Sequence, residues 1–321
     1  MDGMDFTFTK TSSPKPGDKT YDVAIVGGGP GGLTAALYCG RYRIDTIMIE
    51  KEILSGGQMT TTEWVENYPG FEDPVLGNQL AKSMESQVQS TGVSIVRQTV
   101  TKLSLEGRIK EIQTGAGTIK ARSIIISTGA SARLLGIPGE ETFRGKGVSY
   151  CATCDGPFYP DKTIAVVGGG NTALEESLFL AKYAGKIYLI HRRDAFRGDK
   201  IIQERIFKED RIEIWYNTVV KAIRFEDEND RHIVFSKKEK EEKLRVDGIF
   251  IFIGMVPNND LFKGAVDTDE EGWVITDCDI KTNVPGVFAV GDVRQKNLRQ
   301  IATAVGDGAL AAYSANKYLD E

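Results

Sequence analysis

Two stretches of the chain share one rhythm of apolar and polar positions. Residues 21–51 read YDVAIVGGGPGGLTAALYCGRYRIDTIMIEK, and residues 162–192 read KTIAVVGGGNTALEESLFLAKYAGKIYLIHR. Each runs from a short apolar, β-branched segment through a glycine turn into a helical stretch and then a second apolar segment. The two align without a gap, Gly168 standing 141 residues after Gly27. Strand, turn, helix and strand in this order make the βαβ unit of a parallel sheet.

The segments between and after the copies are β-rich. Ile109–Lys120 reads as a weak strand–turn–strand. Ser123–Ser127 reads as a separate buried strand ending at Thr128-Gly129, and Asp247–Gly254 repeats that logic. Gly136 to Gly147, punctuated by glycine and proline, reads as a linker. Ile223–Val246 alternates apolar residues with charge, and its run KKEKEEK (237–243) reads as a solvated hairpin turn rather than a recognition patch. A strand at Gly286–Val290, the pair Gly291-Asp292 and a small-residue helix from Ile301 close the chain. The expected organisation is a polar tail (1–20), one domain made of 21–135 and 262–321, and a second domain (136–261) inserted into it. The fold class is α/β with two Rossmann-like dinucleotide-binding domains.

Composition narrows the chemistry. The 321 residues are 41% hydrophobic and 26% charged, enough for two domains with real cores. A net charge of −5 disfavours a general nucleic-acid or anionic-membrane surface. No basic segment followed by an apolar run opens the chain, and no apolar stretch approaches the ~18 residues of a membrane span, so a cytoplasmic protein without membrane or nucleic-acid partners is expected. Two histidines disfavour haem and His-rich metal centres. Glycine is the outlier: 35 are present, where average usage of about 7% would give roughly 22.

Many of those glycines fall in nucleotide motifs. Gly27-x-Gly29-x-x-Gly32 directly follows the strand Val23–Val26. The first glycine makes the turn, the second lets backbone approach a pyrophosphate, and the third lets the helix pack on the strand. The helix start that follows favours phosphate. Glu50 ends the second strand, where a carboxylate accepts hydrogen bonds from ribose hydroxyls. The second copy is Gly168-x-Gly170-x-x-Ala173, and the position matching Glu50 is His191, followed by Arg192, Arg193 and Arg197. Guanidinium groups bind a 2′-phosphate bidentately where a carboxylate would repel it. The second site is therefore read as NADPH-binding, with His191 either stacking on adenine or merely packing. The first is read as an FAD site. Gly291-Asp292 supports this, its aspartate at a strand end near a helix beginning about Arg299.

Cys151-Ala152-Thr153-Cys154 is the one CxxC, followed by Asp155. Zinc needs a second pair or histidines at ligand spacing. Cys39, inside the first helix, and Cys278, in a separate strand region, supply neither, so no metal is expected. Beside a flavin and NADPH, such a pair reads as a redox dithiol. Asp155 is either its proton donor and acceptor or a turn residue before Gly156-Pro157.

From Tyr21 to Leu319 the sequence resembles the low-molecular-weight, bacterial-type thioredoxin reductases. The motifs that carry the likeness are GGGPGG (27–32), GGQMTTTEWVENYPG (56–70), CATCDG (151–156), GGGNTALEE (168–176), HRRDAFR (191–197) and GDVRQKNLRQIATAVGDG (291–308). The resemblance implies FAD contacts at Gly27, Gly29, Pro30, Gly32, Glu50, Lys51, Gly57, Gln58, Asn67, Asp292, Arg299, Gln300 and Ala302. It implies NADPH contacts at Gly170, Asn171, Thr172, Glu175, His191, Arg192, Arg193 and Arg197. Cys154 becomes the thiol nearest the flavin, Cys151 the one that attacks thioredoxin or a thioredoxin-like protein, and Asp155 the acid–base group. A homodimer and a large rotation of the NADPH domain are also implied. Gly198, where the family often has alanine, and Pro157, where it often has an aromatic, are expected to lie away from the chemistry. Rival readings are the flavoprotein of a hydroperoxide reductase, which needs a further thioredoxin-like domain, a dithiol oxidase or ferredoxin-driven reductase, which the HRR motif argues against, and a non-catalytic nucleotide- or zinc-binding module.

Overall fold

The computed structural model describes residues 19–61, 64–65, 67–225 and 230–321; the side chains of Thr61, Trp64 and Cys154 lie outside that description, as does the expected tail up to Asp18. The α-helices are α1 (Pro30–Arg41), α2 (Gly77–Ser90), α3 (Ala152–Asp155), α4 (Asn171–Leu180), α5 (Lys200–Ile206) and α6 (Ile301–Asp320). The chain divides into two compact units. Unit 1 is Met1–Gly57, Ala81–Gly129 and Asn258–Glu321; unit 2 is Gln58–Leu80 and Ala130–Pro257.

Unit 1 is built on a seven-stranded sheet. Ser94–Arg97, Thr46–Glu50, Thr20–Val26 and Gly117–Ile126 run parallel in that order. Gly117–Ile126 is one long strand with two kinds of partner. Its first half pairs antiparallel with Lys110–Thr114, and its second half pairs parallel with Val287–Ala289. This explains why its sequence looks like two pieces. The first half alternates buried with half-buried positions, and the last four residues are all buried, as a strand covered on both faces requires. The strand at the start of the chain also begins earlier than expected, at Thr20, so the tail is shorter than 1–20. Ile124, Ile126, Ile47, Val287 and Phe262 pack into one core beneath this sheet.

Helices α1 and α6 lie against each other through small residues. Gly308 faces Gly31, and a Cβ there would run into the Gly31 carbonyl and stand 3.0 Å from Ala35 N. Helix α6 begins at Ile301, as expected; Gln300 caps it, exchanging hydrogen bonds with Thr303.

Unit 2 has a five-stranded parallel sheet, ordered Val148–Ser149, Gly248–Phe252, Thr163–Gly168, Lys186–Ile190 and Ile212–Trp215. An antiparallel meander of Thr218–Phe225, Arg231–Lys237 and Lys240–Arg245 follows. Lys238 and Glu239 make its turn in the left-handed region, at φ 51° and 64°. The charged run is thus an exposed hairpin.

Two expectations need correcting. Gly136–Gly147 is not a loose linker. The buried Glu140 carboxylate accepts the amides of Leu135 (2.8 Å) and Gly136 (2.7 Å) and the Tyr150 hydroxyl (2.7 Å). One acid so placed converts glycine-punctuated chain into a fixed turn. Cys278 sits in an exposed turn, not in a strand.

The α1–α6 contact generates a paired prediction. Gly306 and Gly308 lie two residues apart in α6, and a Cβ on Gly306 meets nothing within 4 Å. Gly306→Ala should raise stability by up to about 1 kcal/mol through helix propensity. Gly308→Ala should lower it by about 1–3 kcal/mol through overpacking. Thermal melting of the two variants checks the opposite signs.

Candidate functional site

In unit 1 the first glycine turn stands at the carboxyl ends of the parallel strands. Gly27 adopts φ +101°, and a Cβ there would strike the Ser127 carbonyl. A Cβ on Gly32 would strike Gly27 O, while one on Gly29 meets nothing, so the turn is tight against its own strands and open on its outer side. Pro30 opens α1 at its first turn, with Leu33 N donating to Gly29 O at 2.9 Å. The amides before Leu33 have no helical acceptor and suit an anion.

Glu50 reaches this turn. Its buried carboxylate accepts Gly28 N at 2.5 Å and Glu52 N at 2.9 Å. Gly57 also comes close: a Cβ there would stand 3.4 Å from Gly29 Cα. From the other side, Gly31 approaches Gly291 N and Val290. Thus Gly27, Gly29, Pro30, Gly32, Glu50, Gly57 and the Gly291-Asp292 turn are gathered together. Lys51 is exposed and pairs with Glu52 at 3.7 Å. Arg299 donates to Asp292 O at 3.4 Å and lies over the Trp273 ring at 3.6 Å. Gln300 and Ala302 sit at the start of α6. Gln58, which donates to Ala130 O at 3.1 Å, and Asn67, which is exposed, belong to unit 2.

Two supports of this site are not among the expected contacts. Asp307 on α6 accepts Gly291 N (3.0 Å), Lys296 Nζ (2.9 Å) and Arg294 Nη1 (2.8 Å), all nearly buried. Burial pushes the neighbouring Asp292 carboxyl up, against the pull of Lys296 and Arg299. Glu85 on α2 accepts Ser55 N at 2.9 Å and pairs with Arg97, which also donates to Ser55 Oγ at 2.9 Å. Burial pushes the Glu85 carboxyl up, but the Ser55 amide and Arg97 outweigh it and hold it below the usual range. The readable signal for Asp307 is its place within the motif GDVRQKNLRQIATAVGDG (291–308).

In unit 2 the second turn is built alike. Gly168 packs on Ala173 and the Phe252 carbonyl, and Gly170 is open. The loop that follows His191 folds back on this turn, Arg197 N donating to Gly169 O at 2.7 Å. Arg192, Arg193 and Arg197 are exposed, and no ion pair holds them among the described residues. His191 is buried, so it packs: a Cβ on Gly169 would clash with its ring, and Phe196 lies 5.6 Å from it. Burial pushes its imidazole below the usual value, and the Arg197 and Arg193 charges add to this. Its Nε2 is buried without a hydrogen-bond partner among the described residues.

Asn171 and Asp199 are tied reciprocally, Asp199 N to Asn171 Oδ1 at 2.7 Å and Asn171 Nδ2 to Asp199 Oδ2 at 3.0 Å. Thr172 and Glu175 are exposed on α4, and burial with the Asp199 charge raises the Glu175 carboxyl. Gly198 is not remote from this site. Its amide donates to Gly169 O at 3.2 Å, and a Cβ would stand 2.6 Å from Leu174 and 3.0 Å from Asn171 Oδ1.

Cys151 precedes the single turn α3, which packs on α4 in the same unit. Cys151 is in a disulfide, whereas Cys39 and Cys278 are free; the side chain of Cys154 lies outside the described residues. Burial pushes the Cys39 thiol up to about 12, which leaves it inert. Asp155 ends α3 and leads into the turn at Gly156. Among the described residues no group of ligands fit for a metal ion exists, and no helix is long and apolar enough to cross a membrane.

The sequence profile of the pyridine nucleotide-disulphide oxidoreductase family matches residues 21–308. A thioredoxin reductase of Listeria innocua is 46% identical over 311 residues, 95% of each chain. One of Bacillus subtilis is 42% identical over 306 residues, 95% of this chain and 96% of that one. Among solved structures, Lactococcus lactis thioredoxin reductase in its FR conformation is similar with a TM-score of 0.86 at 43% identity, over 94% of this chain and 99% of that one.

Glu176, beside Glu175 on α4, gives a pH test. Burial, helped by Glu175, pushes its carboxyl from 4.5 up to about 7, and its Oε2 is buried without a partner among the described residues. The folded protein then keeps a proton that the unfolded chain releases, so stability falls as pH rises from about 4.5 to about 7. Glu176→Gln should raise the melting temperature at pH 8, by the equivalent of about 1–3 kcal/mol, and change it little at pH 4. An equal gain at both pH values contradicts the assignment.

Proposed function

The chain belongs to the pyridine nucleotide-disulphide oxidoreductases and, within them, to the thioredoxin reductases, and on that premise we propose that it passes electrons from NADPH by way of FAD and the Cys151–Cys154 pair to the disulfide of thioredoxin or a thioredoxin-like protein. The observation that carries this reading is the disulfide state of Cys151 beside α4, in the unit that also presents three exposed arginines.

Unit 1 is the FAD-binding half of this reading. Gly29 and Gly32 offer amides to a pyrophosphate, Gly27 makes the turn with its own amide on Ile49 O, Pro30 opens the helix, and the outer faces left open at Gly29 and Gly57 give it room. Glu50 is held by Gly28 N with lone pairs to spare for ribose hydroxyls. Asp292, Arg299, Gln300 and Ala302 are the residues that would hold the flavin end, joined by Lys51. Unit 2 is the NADPH-binding half. Gly170, Asn171, Thr172 and Glu175 line the second turn, and Arg192, Arg193 and Arg197 would grip a 2′-phosphate. The buried His191 holds the wall of that site by packing against Gly169.

The chain's own chemistry is thiol–disulfide exchange. Cys151 attacks one sulfur of the partner's disulfide, and the other sulfur leaves as a thiolate. Cys154 then attacks Cys151, restoring the protein disulfide and releasing the reduced partner. Two electrons pass from the dithiol to the partner. Asp155, next to the pair, supplies and takes up the protons. The family resemblance further supports a cytoplasmic homodimer in which the NADPH-binding unit rotates between its two tasks.

Two experiments test the reading. Cys151→Ser should abolish NADPH-driven thioredoxin reduction; a variant working at the normal rate overturns it. Replacing Arg192 and Arg193 with alanine should raise the NADPH KM roughly tenfold to a hundredfold while moving the NADH KM far less. Equal use of NADPH and NADH by the unaltered enzyme would sink the cofactor assignment.

A further inference from the structure

The attack by Cys151 requires a thiolate. The chain has two histidines. His191 is buried against Gly169, and His232 is held by Asp230 at 2.8 Å on the antiparallel meander. Ionisable groups on the elements packed against α3 are mostly acidic: Asp155 on α3 itself, and Glu175 and Glu176 on α4. Tyr159, just past Gly156–Phe158, adds a phenol. Lys182, beyond the end of α4, stands over the Phe179 ring at 5.3 Å. Neighbouring carboxylates disfavour a thiolate, and a hydrogen bond donated to the sulfur favours it.

Two hydroxyls flank Cys151, and they are used differently. Ser149 Oγ serves the backbone, accepting Cys151 N and donating to Cys151 O, both at 3.1 Å. Thr153 Oγ1 lies 3.3 Å from Cys151 Sγ. With Cys151 in a disulfide its sulfur carries no proton, so the hydroxyl must be the donor. Resting on the reading that Cys151 is the attacking thiol, we propose that the Thr153 hydroxyl is a positioning residue of the reaction: its O–H donates to Cys151 Sγ in the disulfide and holds the same sulfur as a thiolate once the pair is reduced. A hydrogen bond to a charged acceptor is roughly twice as strong as one to a neutral atom. The interaction therefore strengthens on reduction, when the nucleophile is needed, and weakens again when Cys151 is oxidised or bonded to the partner. Cys151 attack still forms one S–S bond as the partner's breaks; Thr153 keeps its proton throughout.

The test uses the full-length flavoprotein carrying Cys154→Ser, so that one thiol of the motif remains. Alkylation of Cys151 by iodoacetamide is followed against pH with peptide-resolved mass spectrometry, which separates it from Cys39 and Cys278. Thr153→Val and Thr153→Ala should each move the midpoint up by about one pH unit and slow alkylation at pH 7 about tenfold. Thr153→Ser, which keeps the hydroxyl, should retain the original midpoint. An unchanged midpoint in the Val and Ala variants overturns the proposal, as does a Ser variant that shifts as far as they do. The attacking thiol is identified separately. Cys154→Ser should trap a mixed disulfide with thioredoxin and Cys151→Ser should not; the reverse result overturns the attack assignment while leaving the Thr153 hydrogen bond standing.

Discussion

The rest of the structure depends on backbone amides that open α1 and α4 without an acceptor inside the helix. Each helix starts directly at the end of a buried parallel strand, so these amides face outward at the sheet's carboxyl edge, where a parallel α/β sheet binds its ligands. Reaching that edge within a turn of three residues forces backbone against backbone. Gly27 meets the Ser127 carbonyl, and Gly32 meets Gly27 itself. Side chains are excluded there by contact, and the same exclusion leaves Gly29 and Gly170 open to an anion. The long strand Gly117–Ile126 and the helix pair α1–α6 follow from this need, because both brace the first turn from behind.

The two turns share a backbone plan and differ in charge. At the first, a buried carboxylate is fixed by Gly28 N and Glu52 N and faces the strand end. At the second, the same register holds an uncharged, buried imidazole, and the charge moves outward to three exposed guanidiniums. Burying a cation beside the second turn would cost several kcal/mol; burying a neutral ring does not. So His191 shapes the wall, and the arginines beyond it carry the exposed charge. Packing and charge are divided between neighbouring residues rather than demanded of one.

Much of this was legible in the sequence because it rests on short-range rules. The turn–helix units and the glycines at their starts follow from spacing along the chain. What hydropathy alone misreads has a physical cause in each instance. Gly117–Ile126 looks like two strands because its neighbours change halfway along. Gly136–Gly147 looks loose because the acid that fixes it, Glu140, takes its partners from both sides of the segment. His191 looks ambiguous because adenine stacking and core packing both suit an aromatic, and only burial separates them. Long-range partners such as Glu85 with Ser55, thirty residues apart, leave no periodic trace.

Asp307 shows why such supports matter although they carry no chemistry. One carboxylate joins Gly291 N, Arg294 and Lys296, and all three side chains are nearly dry. Buried ion networks of this kind add little net stability, since removing the charges from water offsets their attraction. What the network does is choose a path. The chain must leave the strand Val287–Ala289, present Asp292, pass Arg299 over Trp273 and enter α6 within a dozen residues. Apolar packing could hold that segment in several ways; a carboxylate with three fixed donors permits one. The position of Asp292 is therefore set from α6, by a carboxylate that holds the amide of its neighbour Gly291, and the two ends of the split unit are registered against each other at the place where the first glycine turn needs them.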